Sequence, residues 1–230
     1  MKYTTILLDL VDTLIDTQAN SRECLKEIYR DYNISDYYPT FDDFLSVYMN
    51  NRNILWSKYS KGEIDKQTLI DGRFVNPFRD FAEITLQDTR RMNDDFLSRV
   101  VYKETHIEGA GELLEYLKPK YQIIVLSNGF TELQYRKIES AGFTPFFDGV
   151  VLSDKVGVNK PHPVIFSYAL QEAGVNPEDV IMIGDNLQTD IIGAKNSGID
   201  QLWFNPKNEN PNDVRPTYTV GKLLEIKDIL

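Results

Sequence analysis

Four short apolar runs, rich in Ile and Val and separated by segments of helical period, restrict this chain to a narrow set of folds. They are residues 4–10, 121–127 (YQIIVLS), 179–184 (DVIMIG) and 200–204 (DQLWF). Apolar at consecutive positions, they read as strands buried on both faces, as strands of parallel sheets are. Between them, Leu113, Leu114 and Leu117 share a helical face in 109–118, as do Ile165, Phe166, Ala169 and Leu170 in 162–173, and Ile191, Ile192 and Ala194 in 188–197. Gly142, Gly174 and Gly198 follow three of the helical segments, where the left-handed backbone that ends a helix favours glycine. Alternation of strand and helix predicts an α/β fold: a doubly wound, Rossmann-like, mostly parallel sheet.

Residues 17–100 break the rhythm. They carry helical patterns (Leu25, Ile28, Tyr29 and Tyr32, then Phe44, Leu45, Tyr48 and Met49) and many aromatics, but no buried strand. The sequence therefore predicts a sheet domain made of 1–16 plus 101–230, with 17–100 inserted after the first strand as a helical domain. A polar loop, NPKNENPNDVRP at 205–216, precedes a last short strand and helix.

With 230 residues, 42% of them apolar, the chain can bury a substantial core. A net charge of -10 repels polyanions, so a nucleic acid polymer is not an expected partner. Cys24 is the only cysteine, which excludes an intrachain disulfide and any cysteine cluster; within a helical pattern it reads as a packing residue. Asp9 and Asp12 interrupt the N-terminal apolar run before it reaches the length of a secretory signal, and no apolar stretch approaches the roughly 20 residues of a membrane span. A cytoplasmic protein without a membrane partner is expected.

In an open α/β sheet the ligand site lies beyond the carboxyl ends of the strands. Asp9, Ser127, Asn128 and Asp185 all stand at such ends, and Lys160 precedes a predicted helix in GVNKPHP. Singly these are ordinary turn and cap residues. Together they supply what phosphoryl transfer requires: a carboxylate nucleophile in Asp9, a hard cation held by Asp9 and Asp185, and a clamp of Ser127, the Asn128 amide and Lys160. Oxygen ligands and a phosphate substrate imply Mg2+.

DLVDTL (9–14), VLSNG (125–129), NKPHPVIF (159–166) and IGDNLQTDIIGA (183–194) resemble the four motifs of the haloacid dehalogenase (HAD) superfamily, and the helical insertion resembles its C1 cap. NRNILWSKYSKGEI, SNGFTELQYRKIESAGF and NPKNENP with PTYTV are similar to the branch that contains bacterial pyrimidine 5'-nucleotidases. The resemblance implies a hydrolase in which Asp9 forms an aspartyl-phosphate and ligates Mg2+. Thr13, Ser127 and Asn128 would hold phosphate, Lys160 would balance charge, and Asp185 would be a metal ligand. Asp190 would orient Lys160 or the metal shell, or else is a helix-start acid facing the dipole. The expected substrate is a small phosphorylated metabolite, in particular a nucleoside 5'-monophosphate. Substrate choice would lie in the cap, where Trp56, Tyr48 and Tyr59 can stack on a base or form core.

The chain departs from that pattern at one position. Phosphatases of this superfamily carry D-x-D, whose second Asp is the general acid and base; here it is Val11. The Val11 carbonyl can still ligate the metal, but its side chain moves no proton, and loss of such a group lowers rates about a hundredfold to ten-thousandfold. Asp12 is one residue on, where an extended side chain points the other way, and reads as a turn residue. A phosphomonoesterase impaired by Val11 is the leading expectation. A phosphate- and metal-binding regulatory protein and a 2-haloacid dehalogenase are the alternatives, the last disfavoured by the acids of GDNLQTD. A receiver domain shares the Asp, Ser/Thr and Lys, but not the long insertion or the Asp on the first strand.

Overall fold

The fold is described from a computed structural model, over residues 2–230. Strand β1 (Thr5–Leu8) opens the chain and is followed by four helices: α1 (Thr17–Asp31), α2 (Phe41–Ser60), α3 (Lys66–Phe78) and α4 (Leu86–Val100). The chain then alternates through α5 (Ala110–Leu117), β2 (Gln122–Ser127), α6 (Thr131–Ser140), β3 (Gly149–Leu152), the single turn α7 (Ser153–Val156), α8 (Pro163–Ala173) and β4 (Val180–Gly184). A wide turn at Leu187–Ile191 leads into α9 (Ile192–Asn196), β5 (Asp200–Phe204), β6 (Tyr218–Val220) and a closing 3-10 segment at Leu223–Asp228. Contacts divide the chain into two units, Met1–Thr17 with Glu104–Leu230, and Gln18–Lys103.

In the first unit the six strands form one sheet in the order β3-β2-β1-β4-β5-β6, every neighbouring pair parallel. The α/β expectation therefore holds, helical insertion included. Alternate residues of each strand pack on opposite faces. Ile6, Leu8, Ile123, Val125, Ile181 and Ile183 meet Leu113, Leu114 and Leu117 of α5 on one side. Leu7, Ile124, Leu126 and Met182 meet Ile165, Phe166 and Ala169 of α8 on the other. Because β1 pairs with both β2 and β4, Leu8 lies level with Val125 and with Ile183. This register brings the carboxyl ends of three strands to one rim, at the point where the strand order reverses.

The second unit is helical and has its own aromatic core. Phe44, Tyr48, Phe74, Phe78 and Phe96 are buried, with ring centroids 5.2 Å apart for Tyr48 and Phe74 and 5.9 Å apart for Tyr48 and Phe96. Tyr48 is thus core, whereas Trp56 and Tyr59 make an edge-to-face pair at 5.7 Å. Thr40, Asp65 and Thr85 cap α2, α3 and α4, each side chain accepting from a backbone N–H three residues on. Cys24 is fully buried, and burial pushes its thiol up to about 12, which suits packing and not nucleophilic chemistry. Among the described residues no helix is long and apolar enough to cross a membrane.

Candidate active site

Asp9 directly follows β1, and its N–H donates to the Ile183 carbonyl at 2.9 Å, so the sheet ladder continues through it. After it the chain turns sharply. Asp12 sits in the left-handed region (φ 60), its N–H donates to the Ile15 carbonyl, and its Oδ1 accepts from Thr17 N–H at 2.9 Å, at the start of α1. Its carboxylate therefore serves the turn, as expected, but through a left-handed backbone and not the extended one assumed from the sequence. Val11, partly exposed, bridges to Ile15, and its isopropyl side chain carries no titratable proton.

Lys160 is 1% exposed, and its Nζ donates to Asp9 Oδ1 at 2.7 Å, to Asp190 Oδ1 at 2.7 Å and to the Leu126 carbonyl at 2.6 Å. Three acceptors take the three protons of the ammonium group. No N–H of this group is left for a further acceptor. Asn128 holds this lysine in place: its Nδ2 donates to the Lys160 carbonyl at 2.9 Å and its Oδ1 accepts from Lys160 N–H at 2.7 Å. Two segments distant in sequence are thereby locked together at the rim.

Asp190 lies in the wide turn and is buried, its Oδ2 accepting from Asn186 N–H at 3.1 Å. It can approach the sheet only because residue 184 is glycine, since a Cβ there would lie 2.3 Å from Asp190 Oδ2. Asp185 N–H donates to Thr13 Oγ1 at 3.1 Å, and its carbonyl accepts from Trp203 Nε1 at 2.8 Å. Thr13 Oγ1 lies 3.1 Å from Asp9 Oδ2 and 3.2 Å from Asp185 Oδ1, so this fully buried hydroxyl bridges the two acids. Ser127 is buried at the end of β2, where its Oγ accepts from Gln134 Nε2 at 3.1 Å. His162 caps α8, its Nδ1 accepting from Val164 N–H at 3.3 Å.

Sequence reasoning had no hold on Trp203 or Gln134. Trp203 is an apolar residue in an apolar strand, and Gln134 is one more polar residue on a helix. Only the Gly129–Gln134 pairing, a glycine just ahead of a helix whose first turn carries an amide, could have drawn attention.

Three carboxylates face one ammonium group. Oxygens of Asp9, Asp185 and Asp190 lie within 4.8 Å of one another. Burial, opposed by Lys160, pushes Asp9 up to about 6; burial, together with Asp9, Asp190 and Asp12, pushes Asp185 up to about 8. Burial alone would lower Lys160, but Asp190 and Asp9 hold it above its usual value, fully charged. An all-oxygen set with surplus negative charge fits a hard divalent cation.

Residues 3–198 match the description of haloacid dehalogenase-like hydrolases. The chain belongs to this family. Its HAD relatives include pyrimidine 5'-nucleotidase YjjG of Escherichia coli (strain K12), 33% identical over all of this chain and 99% of that protein. Pyrimidine 5'-nucleotidase PynA of Streptococcus pneumoniae (strain ATCC BAA-255 / R6) is 29% identical over all of this chain and 96% of its own length. The HAD-hydrolase YfnB of Bacillus subtilis, solved bound to magnesium, superposes with a TM-score of 0.89 at 27% identity, covering 100% of this chain and 99% of that one. The chain is a HAD hydrolase with nucleotidase and phosphatase relatives.

Proposed function

We propose that the chain is a cytoplasmic, Mg2+-dependent phosphomonoesterase that acts through an aspartyl-phosphate on Asp9 and that Val11 slows its turnover. The substrate is a small phosphate ester, in the first place a pyrimidine nucleoside 5'-monophosphate, the class named for YjjG and PynA. The observation that carries this reading is the buried Asp9, held at 2.7 Å by Lys160 beside Asp185 and Asp190. Asp9 and Asp185, with the Val11 carbonyl, would hold the metal, which when bound supplies charge neutralisation at the phosphoryl oxygens. Ser127 and the Asn128 backbone N–H hold the phosphoryl group, Thr13 locks the two acids instead of making the phosphate contact that the resemblance implies, and Asp190 orients Lys160.

In the first step a carboxylate oxygen of Asp9 bonds to phosphorus as the bond to the ester oxygen breaks. With Val11 in place the leaving alkoxide must take its proton from water. In the second, water attacks the phosphorus, the acyl-phosphate bond breaks, Asp9 returns as carboxylate, and the water's proton passes to bulk solvent because no side chain at position 11 takes it. Esters with good leaving groups are hindered least in the first step, and every substrate is hindered in the second.

Val11→Asp restores a proton carrier and is expected to raise steady-state release of phosphate at least about tenfold. The check is Mg2+-dependent hydrolysis of p-nitrophenyl phosphate and a nucleotide panel by both chains. No gain from Val11→Asp together with loss of activity in Asp12→Asn would move the acid to Asp12. Firm binding of phosphate and Mg2+ without turnover in either chain would favour the regulatory reading. Release of chloride from 2-chloropropionate, with no phosphatase activity, would make the chain a dehalogenase.

The same acids give a pH signature. Asp9 and Asp185 ionise at about 6 and about 8 in the fold, against 3.8 ordinarily, so the folded chain holds protons that the unfolded chain releases. Stability without metal therefore falls as pH rises from about 4 to about 8, and protons compete with the cation across that window. Mg2+ should raise the unfolding temperature more at about pH 8 than at about pH 5.5, measured against EDTA. An equal or larger shift at the lower pH would mean that these acids do not bind it.

A further inference from the structure

We propose that Gln134 is a positioning residue: its side-chain amide fixes the direction of the Ser127 hydroxyl, and Gly129 provides the space that lets it do so. Gln134 lies in the first turn of α6, 3% exposed, and its Nε2 donates at 3.1 Å to Ser127 Oγ, itself 1% exposed. The amide crosses the loop directly over residue 129. A Cβ on Gly129 would lie 1.9 Å from Gln134 Nε2 and 2.6 Å from its Cδ, so any side chain there would evict the amide.

Gln134 Oε1 is buried and has no hydrogen-bond partner among the described residues. An unmet buried acceptor destabilises a fold. An apolar side chain of the same shape would avoid that cost, so the amide's contribution must be sought in its one bond to the site. A serine hydroxyl has one proton and two lone pairs. With a lone pair occupied by the Gln134 amide, Ser127 turns its proton away from α6 and offers it as a donor beyond the end of β2. There it meets the phosphoryl oxygen that the proposed function assigns to it, and the inference rests on that reading. A carboxylate at 134 would do the opposite: it would accept the Ser127 proton and withdraw the donor.

The test is steady-state kinetics on p-nitrophenyl phosphate with Mg2+, and competitive inhibition by inorganic phosphate, for Gln134→Met, Gln134→Glu, Ser127→Ala and the double variant Ser127→Ala/Gln134→Met. Gln134→Met should unfold at the same or a higher temperature while KM and the phosphate inhibition constant rise about fivefold, the scale of one hydrogen bond, and kcat changes less. Gln134→Glu should weaken phosphate binding further than Gln134→Met. On the Ser127→Ala background, Gln134→Met should add nothing, because the group it directs is gone. Gln134→Ala replaces Gln134→Met in each comparison if the latter does not fold. A Ser127→Ala defect to which Gln134→Met adds its full effect overturns the positioning role alone. A Ser127→Ala chain with unchanged KM and phosphate inhibition overturns the phosphate role of Ser127, and the inference with it.

Discussion

Asp9→Asn is expected to lower phosphoryl transfer from p-nitrophenyl phosphate by on the order of ten-thousandfold or more, the scale seen when a nucleophile is removed from a site whose residues act as a unit. The substitution keeps shape and changes chemistry. The Asn oxygen can still accept from Lys160, whose other partners, Asp190 and the Leu126 carbonyl, are untouched. Thr13 Oγ1 can turn to accept from the new amide, as it already accepts from Asp185 N–H. The fold should therefore persist, with thermal unfolding as the control. One of the three clustered carboxylates is lost, so Mg2+ should also bind more weakly. Single-turnover release of p-nitrophenol isolates the first step, the one in which Asp9 acts, from the slow hydrolysis attributed to Val11. A loss of less than about tenfold would place the nucleophile elsewhere.

Lys160→Met should be the most damaging single change to stability, because it removes the one cation bound by both Asp9 and Asp190 and leaves the two acids buried without it. Breaking a buried ion pair in this way costs about 3–5 kcal/mol. For a chain of this length that is a fall of roughly 10 °C in unfolding temperature. The sign of its pH dependence follows from electrostatics. Lys160 lowers the Asp9 pKa, so without it the Asp9 carboxyl moves above about 6 and is more often protonated near neutrality. The variant should come closest to the parent near about pH 5, where its Asp9 carboxyl is mostly protonated, and fall furthest behind near about pH 8. Thermal unfolding in EDTA across that range is the measurement. A deficit that shrinks with rising pH would mean that Lys160 does not neutralise these carboxylates.

The sheet was legible in the sequence because short, Ile- and Val-rich runs such as QIIVLS and VIMIG, alternating with helical segments, are what strands buried on both faces of a parallel sheet leave behind. The short strand GVVL at the sheet edge left a weaker trace, two of its four residues being only half-buried. Asp9, Ser127, Asn128 and Asp185 were legible as a set because strand ends converge once the topology is right, whereas Asp190, in the wide turn, entered only through the family resemblance and with a helix-start role left open. What could not be read was the allocation of each hydrogen bond. Asn128 holds the Lys160 backbone, Thr13 bridges two acids, and Gln134 reaches Ser127 over a glycine. These pairings depend on side-chain directions set by the left-handed backbone at Asp12 and by the wide turn before α9, which no periodicity encodes. Tyr48 marks the same limit in the insertion: an aromatic at helical spacing reads equally as core or as a stacking platform, and only packing showed it to be core.

In the proposed mechanism a phosphoryl group reaches Asp9 readily and leaves it slowly, because Val11 supplies no proton carrier for the second step. The direct measurement is rapid mixing of the chain with excess p-nitrophenyl phosphate and Mg2+, followed on the time scale of one turnover, with acid quenching and mass analysis of the protein. The account predicts a burst of p-nitrophenol approaching one per chain, phosphate recovered on Asp9, and a slow steady state that Val11→Asp accelerates while shrinking the trapped fraction. Turnover with no burst and no phosphate on Asp9, in a chain whose rate Asp9→Asn leaves unchanged, would contradict it.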